Sequence, residues 1–223
     1  MIAVLDYGIG NLRSAEKALQ HVGGDARLIT ASEEAIGAEG IVLPGVGAFG
    51  ACAEALAGSG LEPVVRAAIG AGVPFLGVCV GFQLLFEDAE ESPGTPGLGI
   101  LQGSVRRLSG SVKLPQIQWN TLTRTGAPSA MLAGLGEAPW FYFVHSYAPV
   151  PAGEDVEHVV ATCDYGGEVV AAMEKGVLWG CQFHPEKSGA TGLALLANFV
   201  AATRQAARPL EALALGEAAK AAK

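Results

Sequence analysis

The sequence predicts an α/β protein, a single domain whose mixed, largely parallel central sheet is flanked by helices. Half of the 223 residues are hydrophobic and 16% are charged, which is typical of a chain that buries a sizeable core. Short apolar runs alternate with helical stretches over the first 90 residues, as they do in parallel βαβ units. Residues 98–183 carry several short strand candidates and turns, which indicates a more antiparallel second half.

Buried strands are predicted at four apolar runs in the first half of the chain. Runs of this kind are expected of strands that helices cover on both faces of a sheet. The runs are Ile2–Leu5, Ala26–Ile29, Ile41–Leu43 and Phe75–Val78.

A first helix is predicted between the first two strands, with Asn11 as its N-cap and Gly23-Gly24 as its stop. Apolar residues recur at helical spacing between these signals, at Leu12, Ala15, Ala18, Leu19 and Val22. Further helical stretches are predicted at Phe82–Phe86 and Gly192–Ala207.

No linker is apparent, so residues 1–207 are predicted to form one domain. Residues 208–223 are rich in Ala, Glu, Lys and Leu and are predicted to form a C-terminal tail, a peripheral or frayed helix.

The composition also excludes several classes of function. The formal charge of −8, from 14 Lys and Arg against 22 Asp and Glu, disfavours binding to nucleic acid or to an anionic membrane. The opening apolar stretch is interrupted by Asp6 and Gly8, so neither a membrane span nor a signal peptide is predicted. The four cysteines form no C-x-x-C pair, which disfavours a zinc ribbon or a disulfide scaffold. We expect a cytoplasmic protein without a metal or a cofactor.

A candidate nucleophile, Cys79, lies in the run Gly77-Val78-Cys79-Val80-Gly81, between a predicted strand and a predicted helix. This is the nucleophile-elbow pattern, in which flanking glycines allow a sharp turn that exposes the central side chain. A helix N-terminus at this position lowers the pKa of a thiol and offers N–H groups to an oxyanion. The alternative is a small buried cysteine in a glycine-rich turn.

Among the four histidines, His184 is the best candidate for the base. Glu186 follows it in Phe183-His184-Pro185-Glu186, and residues i and i+2 of an extended backbone point to the same side. A carboxylate placed there would hold the imidazole and support its positive charge, which completes a Cys-His-Glu triad suited to acyl transfer. The alternative for His184 and Glu186 is a loop ion pair. His21 and His158 are expected at the surface or half-buried, and His145 lies in a strand whose aromatic residues suit a core.

Two glycine-rich loops suggest other chemistry only weakly. The run from Gly8 to Arg13 resembles a dinucleotide fingerprint but lacks its third glycine. Pro44-Gly45-Val46-Gly47 is followed by no G-K-[ST] and is not a Walker A loop. This loop either presents an N–H to an oxyanion or is an ordinary turn that ends a strand.

Taken together, the elbow, Gln83 and the His-Pro-Glu run resemble the triad (class I) glutamine amidotransferases. More narrowly, the chain is similar to the family of glutaminase subunits of imidazole glycerol phosphate synthase. The blocks that carry this narrower resemblance run in family order over nearly the whole chain: Asp6–Leu12, Leu43–Gly50, Gln83–Glu87, Trp119-Asn120, Tyr142–Tyr147 and Gln182–Gly189.

The resemblance implies both a reaction and a partner. Cys79 would attack the side-chain amide of glutamine, and water would release glutamate from the thioester. The ammonia would pass into a (β/α)8-barrel cyclase subunit, with which the chain would form a heterodimer. That complex would make imidazole glycerol phosphate and an aminoimidazole carboxamide ribotide in histidine biosynthesis.

The resemblance also assigns roles to individual residues. The N–H groups of Val46 and Val80 would form the oxyanion hole, with Val46 taking part after a peptide rearrangement. The partner would dock on one set of residues, and glutamine would bind to another. The docking residues are Trp119, Asn120, Tyr142 and Lys187, and the glutamine-binding residues are Gly45, Gly47, Gln83, Ser146 and Tyr147.

The chain departs from the family pattern near Trp119, where Gln116 replaces an interface histidine and Gln118 replaces a glycine. Other functions remain open at this point: a glutaminase subunit of pyridoxal phosphate synthase or of anthranilate synthase, a non-catalytic scaffold subunit, or a cysteine peptidase.

Overall fold

The computed structural model describes residues 1–205 and 209–221. The strands are β1 (Ile2–Leu5), β2 (Ala26–Ile29), β3 (Gly40–Gly45), β4 (Phe75–Cys79), β5 (Asp88–Ala89), β6 (Gly103–Arg107), β7 (Gln116–Thr121), β8 (Thr123–Arg124), β9 (Trp140–His145), β10 (Tyr147–Pro151), β11 (Val159–Asp164), β12 (Glu168–Lys175) and β13 (Leu178–Cys181). The α-helices are α1 (Leu12–His21), α2 (Phe49–Ser59), α3 (Glu62–Gly70), α4 (Val80–Gln83), α5 (Gly189–Gln205) and α6 (Ala212–Ala221). Short 3₁₀ helices lie at Ser32–Ala35, Gly153–His158 and Pro185–Lys187.

Eight strands form the central sheet, in the order β2-β1-β3-β4-β13-β12-β11-β8. The strands from β2 to β13 run parallel to one another. The remaining three are antiparallel and extend the sheet at one edge. The sheet is therefore mixed, and with its flanking helices it confirms the predicted fold class.

Helices cover the parallel part of the sheet, so every residue of β1, β3, β4 and β13 is buried. The bounds of β1 and β2 agree with the sequence prediction to the residue. By contrast, β3 and β4 run beyond the predicted apolar runs because their ladder continues to a final pair, Gly45 and Cys79. The candidate nucleophile thus lies at the carboxyl edge of the sheet, where ligands of open α/β folds bind.

A two-stranded ribbon of β7 and β9 packs one face towards this edge and leaves the other exposed. Phe141 and Phe143 on the inner face are fully buried, and both contact the ring of Phe183. The backbone N–H of His184 donates to the carbonyl of Tyr142 at 3.0 Å. The ribbon therefore fixes the segment that carries the candidate base.

Two helix predictions require correction. Asn11 occupies the N-cap position of α1, but its side chain makes no capping hydrogen bond. The helix predicted at Phe82–Phe86 is instead the four-residue α4. Helix does not continue because the carbonyls of Leu84, Leu85 and Phe86 accept hydrogen bonds from residues 98–101.

After α5, Leu210 is buried and exchanges backbone hydrogen bonds with residues 37 and 38. Helix α6 follows and packs against α3, with Leu215 buried. The predicted boundary at residues 207 and 208 lies outside the described residues. In the part of the chain that the structure describes, no helix is both long and apolar enough to cross a membrane.

Candidate active site

Cys79 lies at a sharp turn from β4 into α4. Its φ of 55° and ψ of −114° make it the one non-glycine residue with a positive φ among the described residues. Such a conformation is strained for a residue with a Cβ and is common at functional sites. The side chain is buried, with 3% of its surface exposed.

Glycines 77 and 81 are required by close packing around this turn. A Cβ on Gly81 would overlap the carbonyl oxygen of Leu43, and a Cβ on Gly77 would lie 2.9 Å from the Cα of Phe82. Neither glycine has a positive φ, so their role is to allow neighbouring backbones to approach each other. Gly81 therefore lets the elbow pack against β3, and Gly77 lets β4 pack against the start of α4.

His184 and Glu186 form a buried pair beside the nucleophile. The Nδ1 atom of His184 lies 2.9 Å from Oε1 of Glu186, and both side chains are at most 4% exposed. Glu186 belongs to the Pro185–Lys187 3₁₀ helix, so the extended i, i+2 geometry that predicted this pair is wrong in detail. The predicted contact forms all the same, because the turn at Pro185 brings the carboxylate back towards the imidazole.

Opposing effects act on the pKa values of this pair. Burial lowers the pKa of His184, but the neighbouring sulfur of Cys79 and the carboxylate of Glu186 outweigh it and raise the pKa to about 9. Burial raises the pKa of Glu186, but hydrogen bonds from His184 and Asn11 outweigh it and lower the pKa. The carboxylate therefore stays charged, and it favours the protonated imidazole.

Asn11, which sequence analysis placed as a helix cap, contributes to this pair. Its Nδ2 atom donates to Oε1 of Glu186 at 3.1 Å, across 175 residues of sequence. The same carboxylate oxygen thus accepts from both Asn11 and His184. No sequence signal identified this contact, because the two residues lie in separate motifs.

An open cavity of about 520 Å³ reaches Asn11, Cys79 and His184. Most of the predicted site residues line it, together with one carboxylate that sequence analysis missed, Glu91. The predicted residues in its wall are Val46, Gly47, Cys79, Val80, Gln83, Ser146, Tyr147, His184 and Lys187. Gly45 and Glu186 lie outside this lining set.

Hydrogen bonds hold the Pro44–Gly47 loop on both sides of the peptide between Gly45 and Val46. The hydroxyl of Tyr7 donates to the carbonyl of Pro44 at 2.6 Å, and the thiol of Cys52 donates to the carbonyl of Val46 at 3.2 Å. The peptide between these two carbonyls carries the Val46 N–H. Rotation of the loop is therefore confined to this segment.

Two buried glutamine side chains connect the cavity wall to the nucleophile. The Nε2 atom of Gln83 donates to the carbonyl of Tyr147 at 3.0 Å and to Oε1 of Gln182 at 2.9 Å. The Nε2 atom of Gln182 in turn donates to Sγ of Cys79 at 3.6 Å. Sequence analysis missed Gln182 as a site residue, and its position next to the Phe183–Glu186 run was the only signal available.

The remaining histidines and cysteines are not arranged for the same chemistry. Burial lowers the pKa of His145 to about 4, so this histidine stays neutral, and its Nδ1 lies 2.9 Å from the carbonyl of Tyr147. All four cysteines are free and buried. No group of three or more His, Cys, Asp or Glu residues suited to a metal ion occurs within residues 1–205 and 209–221.

The outer face of the β7–β9 ribbon presents the predicted docking residues Trp119 and Tyr142. Trp119 is 49% exposed and packs edge-to-face on Tyr142, with 6.1 Å between the ring centroids. Asn120 donates to the carbonyl of Asp164. Gln116, which sequence analysis expected at the interface, is instead fully buried, because it faces inward from the ribbon opposite His145.

Similarity to known proteins agrees with this geometry. The sequence model of the family "Glutamine amidotransferase class-I" matches residues 3–203. A solved structure described as a glutamine amidotransferase superposes with a TM-score of 0.71 at 22% identity, covering 91% of this chain and 98% of the other. The chain belongs to the class I glutamine amidotransferases.

Closer relatives narrow the assignment. The subunit HisH of imidazole glycerol phosphate synthase from Synechococcus sp. (strain JA-3-3Ab) is 46% identical over 203 residues, 89% of this chain and 92% of that protein. The HisH subunit from Thermosynechococcus vestitus is 47% identical over 204 residues, 90% and 96% of the two chains. Within the class, the chain is a member of the HisH family.

Proposed function

We propose that this chain is the glutaminase subunit of an imidazole glycerol phosphate synthase. It hydrolyses glutamine to glutamate and ammonia and passes the ammonia to a cyclase subunit in histidine biosynthesis. The main support is the buried Cys79, His184 and Glu186 set at the edge of an open cavity, in a chain about 46% identical to HisH subunits along most of its length.

In the proposed mechanism, His184 accepts the thiol proton of Cys79, and the thiolate attacks the side-chain carbonyl carbon of glutamine. His184 then protonates the departing nitrogen, which leaves as ammonia. The acyl group remains on Cys79 as a thioester. Next, His184 deprotonates a water molecule, which attacks the thioester and releases glutamate. Glu186 orients the imidazole and stabilises its positive charge in each step.

Each tetrahedral intermediate carries a negative oxygen that needs donors. Val80 follows the nucleophile at the first position of α4, where helix N–H groups lack intrahelical partners. Val46 lies on the Pro44–Gly47 loop and lines the same cavity. We propose that the N–H groups of these two residues form the oxyanion hole, with Val46 contributing after its peptide rotates.

Glutamine is proposed to bind with its amino-acid end towards the far wall of the cavity, which Gly47, Gln83, Ser146 and Tyr147 line. Both hydrogens of Gln83 Nε2 are engaged within the protein, which leaves its Oε1 to accept from the substrate ammonium. The carboxylate of Glu91 also lines the cavity and complements that positive charge. Gly45 supports the site from β3, where its backbone lies close to that of Gly81.

The proposed partner is a (β/α)8-barrel cyclase subunit, which docks on the exposed ribbon face around Trp119 and Tyr142, with Lys187 at the rim of the cavity. Exposed aromatic side chains of this kind mark protein interfaces. A closed route between the subunits keeps ammonia from bulk water, where it would become ammonium and lose its nucleophilicity. The complex is expected to be cytoplasmic and to need no cofactor in this subunit.

The decisive test is the Cys79→Ala variant in complex with the cyclase. Glutamine-dependent synthesis is expected to be lost, whereas ammonia-dependent synthesis persists because the cyclase requires only ammonia. Cys163→Ala, which removes another buried thiol, is the control and is expected to keep both activities. Loss of both activities in a folded Cys79→Ala complex would refute the proposal, as would glutamine-dependent synthesis that survives the substitution.

A further inference from the structure

The buried amides of Gln83 and Gln182 have orientations that their surroundings determine. The chain of contacts begins at the carbonyl of Tyr147, which can only accept hydrogen bonds. Gln83 must therefore turn its NH₂ group towards Tyr147. The same NH₂ group also donates to Gln182, which must accept with its carbonyl oxygen. The NH₂ group of Gln182 is then left facing the sulfur of Cys79.

We propose that Gln182 is a catalytic residue of the glutaminase reaction, because its amide donates a hydrogen bond to the sulfur of Cys79. This inference rests on the proposed function, which assigns Cys79 as the nucleophile but gives Gln182 no role. Gln83 and the Tyr147 carbonyl act as positioning groups that prevent the Gln182 amide from flipping.

A fixed donor at this position has two effects on the reaction. It stabilises the thiolate that attacks glutamine, and it stabilises the thiolate that departs when water cleaves the thioester. It also fixes the sulfur relative to the cavity, since Gln182 is fully buried and its contacts cannot be exchanged for water. Unlike His184, the amide neither gains nor loses a proton in any step.

The arrangement also connects substrate binding with the nucleophile. Gln83 lines the cavity, and its amide is the direct neighbour of the Gln182 carbonyl. A glutamine molecule that binds Oε1 of Gln83 polarises the Gln83 NH₂ group and, through it, the Gln182 amide. The donor strength at the sulfur is therefore expected to rise when the site is occupied.

The test uses the full chain, alone and in complex with the cyclase, with the variants Gln182→Glu and Gln182→Met. Gln182→Glu keeps an acceptor for Gln83 but replaces the NH₂ group that faces the sulfur, whereas Gln182→Met removes both polar groups. Gln116→Met is the control, because Gln116 is an equally buried glutamine that is hydrogen-bonded neither to Cys79 nor to Gln182.

The first measurement is the rate at which iodoacetamide alkylates Cys79 as a function of pH, followed by mass spectrometry. We expect both Gln182 variants to react about 10- to 100-fold more slowly near neutral pH, with profiles displaced towards higher pH, as loss of a hydrogen bond to a charged group predicts. Gln182→Met adds no titratable group, and the other titratable groups near the sulfur are the same in it and in the wild type, so they do not account for a difference: Tyr7, Cys52, Cys181, His184 and Glu186. Gln182→Glu adds a carboxylate beside the sulfur, so its profile is interpreted together with that of Gln182→Met. Gln116→Met is expected to follow the wild-type profile.

The second measurement is steady-state glutaminase activity in the complex. Gln182→Glu is expected to lower kcat by about 10-fold or more with little change in KM, because the acceptor for Gln83 remains. A folded Gln182→Met variant with the wild-type alkylation profile and kcat would overturn the inference. A wild-type complex that does not hydrolyse glutamine would instead overturn the proposed function.

A third measurement needs no variant of Gln182. In wild-type protein labelled with ¹⁵N in glutamine side chains, alkylation of Cys79 is expected to shift the NH₂ resonances of Gln182 more than those of Gln116. Equal shifts at both side chains would count against the hydrogen bond to sulfur.

Discussion

At the scale of single residues, the site depends on how one oxygen of Glu186 is shared. His184 contacts this oxygen at 2.9 Å, and Asn11 donates to it at 3.1 Å. His184 is the proposed base of the reaction, whereas Asn11 holds the Glu186 carboxylate from near the other end of the chain. Their separate contributions can be measured.

Substitution of His184 is expected to be more damaging than substitution of Glu186. In the proposed mechanism, the imidazole transfers protons in both half-reactions, whereas the carboxylate only orients and stabilises it. His184→Ala should lower kcat by about 10² to 10⁴, the usual contribution of a general base, and Glu186→Gln by less. Glutaminase kinetics of both variants, folded and bound to the cyclase, check this order. Equal or reversed effects would contradict the assigned roles.

Asn11→Ala distinguishes a catalytic support from a helix cap. Because Asn11 makes no capping hydrogen bond but donates to the charged carboxylate of Glu186, the variant should lose activity by about 10-fold, together with about 1–3 kcal/mol of stability. A helix cap would cost a similar amount of stability, about 1 kcal/mol, but little activity. Urea unfolding and kcat of the same preparation separate the two outcomes.

Sequence analysis proposed Cys79, His184 and Glu186 as a triad because each lies in a short local motif with its own chemistry. It did not identify Asn11 as a partner of Glu186, or Gln182 as a partner of Cys79, because those contacts join residues 175 and 103 positions apart. An amide also carries no motif of its own, since it can either donate or accept. Contacts of this kind require the folded structure.

At the scale of elements, the Gly153–His158 3₁₀ helix carries a buried carboxylate, Asp155, that fastens it to the rest of the domain. Asp155 accepts from the ammonium of Lys175 at 2.7 Å and from the backbone N–H of Gln102 at 2.8 Å. Burial raises the pKa of Asp155, but these two partners outweigh burial and lower it. The carboxylate thus joins this helix to β12 and to the residue before β6.

Asp155→Asn is therefore expected to lower the free energy of unfolding by about 1–3 kcal/mol, the range for a hydrogen bond to a charged group. Since the folded pKa is lowered, the contribution of Asp155 is present above its unfolded pKa and is lost as the pH falls through the folded pKa. Urea unfolding at pH 7 and at pH 3 checks both points. The difference between wild type and variant should shrink at pH 3, and a constant difference would contradict the argument.

Element prediction succeeded where local pattern and tertiary environment agree. The predicted bounds of β1 and β2 match the structure, but only β1 is buried along its whole length, because β2 lies at the edge of the sheet with Arg27 exposed. The helix after Cys79 was predicted wrongly because residues 98–101 compete for its carbonyls, and no local pattern reveals that competition. For the antiparallel strands β8, β11 and β12, the sequence predicted only a more antiparallel second half. Their bounds and pairing depend on the tertiary fold and were not predicted.

At the scale of the whole molecule, the proposed docking face on the β7–β9 ribbon and the Pro44–Gly47 loop belong to different elements that lie near one cavity. Lys187 and Val46 both line it, and the ribbon of Trp119 and Tyr142 lies above the segment that carries His184. Hydrogen bonds hold the Pro44–Gly47 loop on both sides of the Gly45–Val46 peptide. Docking of the proposed partner therefore has to favour only one change, the rotation of this peptide. A small change at the interface can thereby alter the donor set of the active site.

The isolated subunit is therefore expected to have low glutaminase activity, which the cyclase with its nucleotide ligand stimulates by at least about 10²-fold, the usual contribution of one oxyanion donor. Val46→Pro removes the N–H and should abolish the stimulation, while glutamine binding is largely kept. The check is kcat with and without the loaded cyclase, alongside glutamine binding by calorimetry. An isolated wild-type subunit that already works at the stimulated rate would refute this coupling.

The backbone conformation of Cys79 has a consequence for how the protein evolves. A positive φ stores about 1–3 kcal/mol when the residue carries a Cβ, so glycine is the residue that would fit this turn best. Elsewhere in strands and helices, glycine is less stable than alanine by about 0.5–1 kcal/mol. At position 79 we expect the reverse, with Cys79→Gly unfolding at a higher urea concentration than Cys79→Ala. Selection for stability alone would favour glycine at position 79, and only selection for the reaction retains a thiol there.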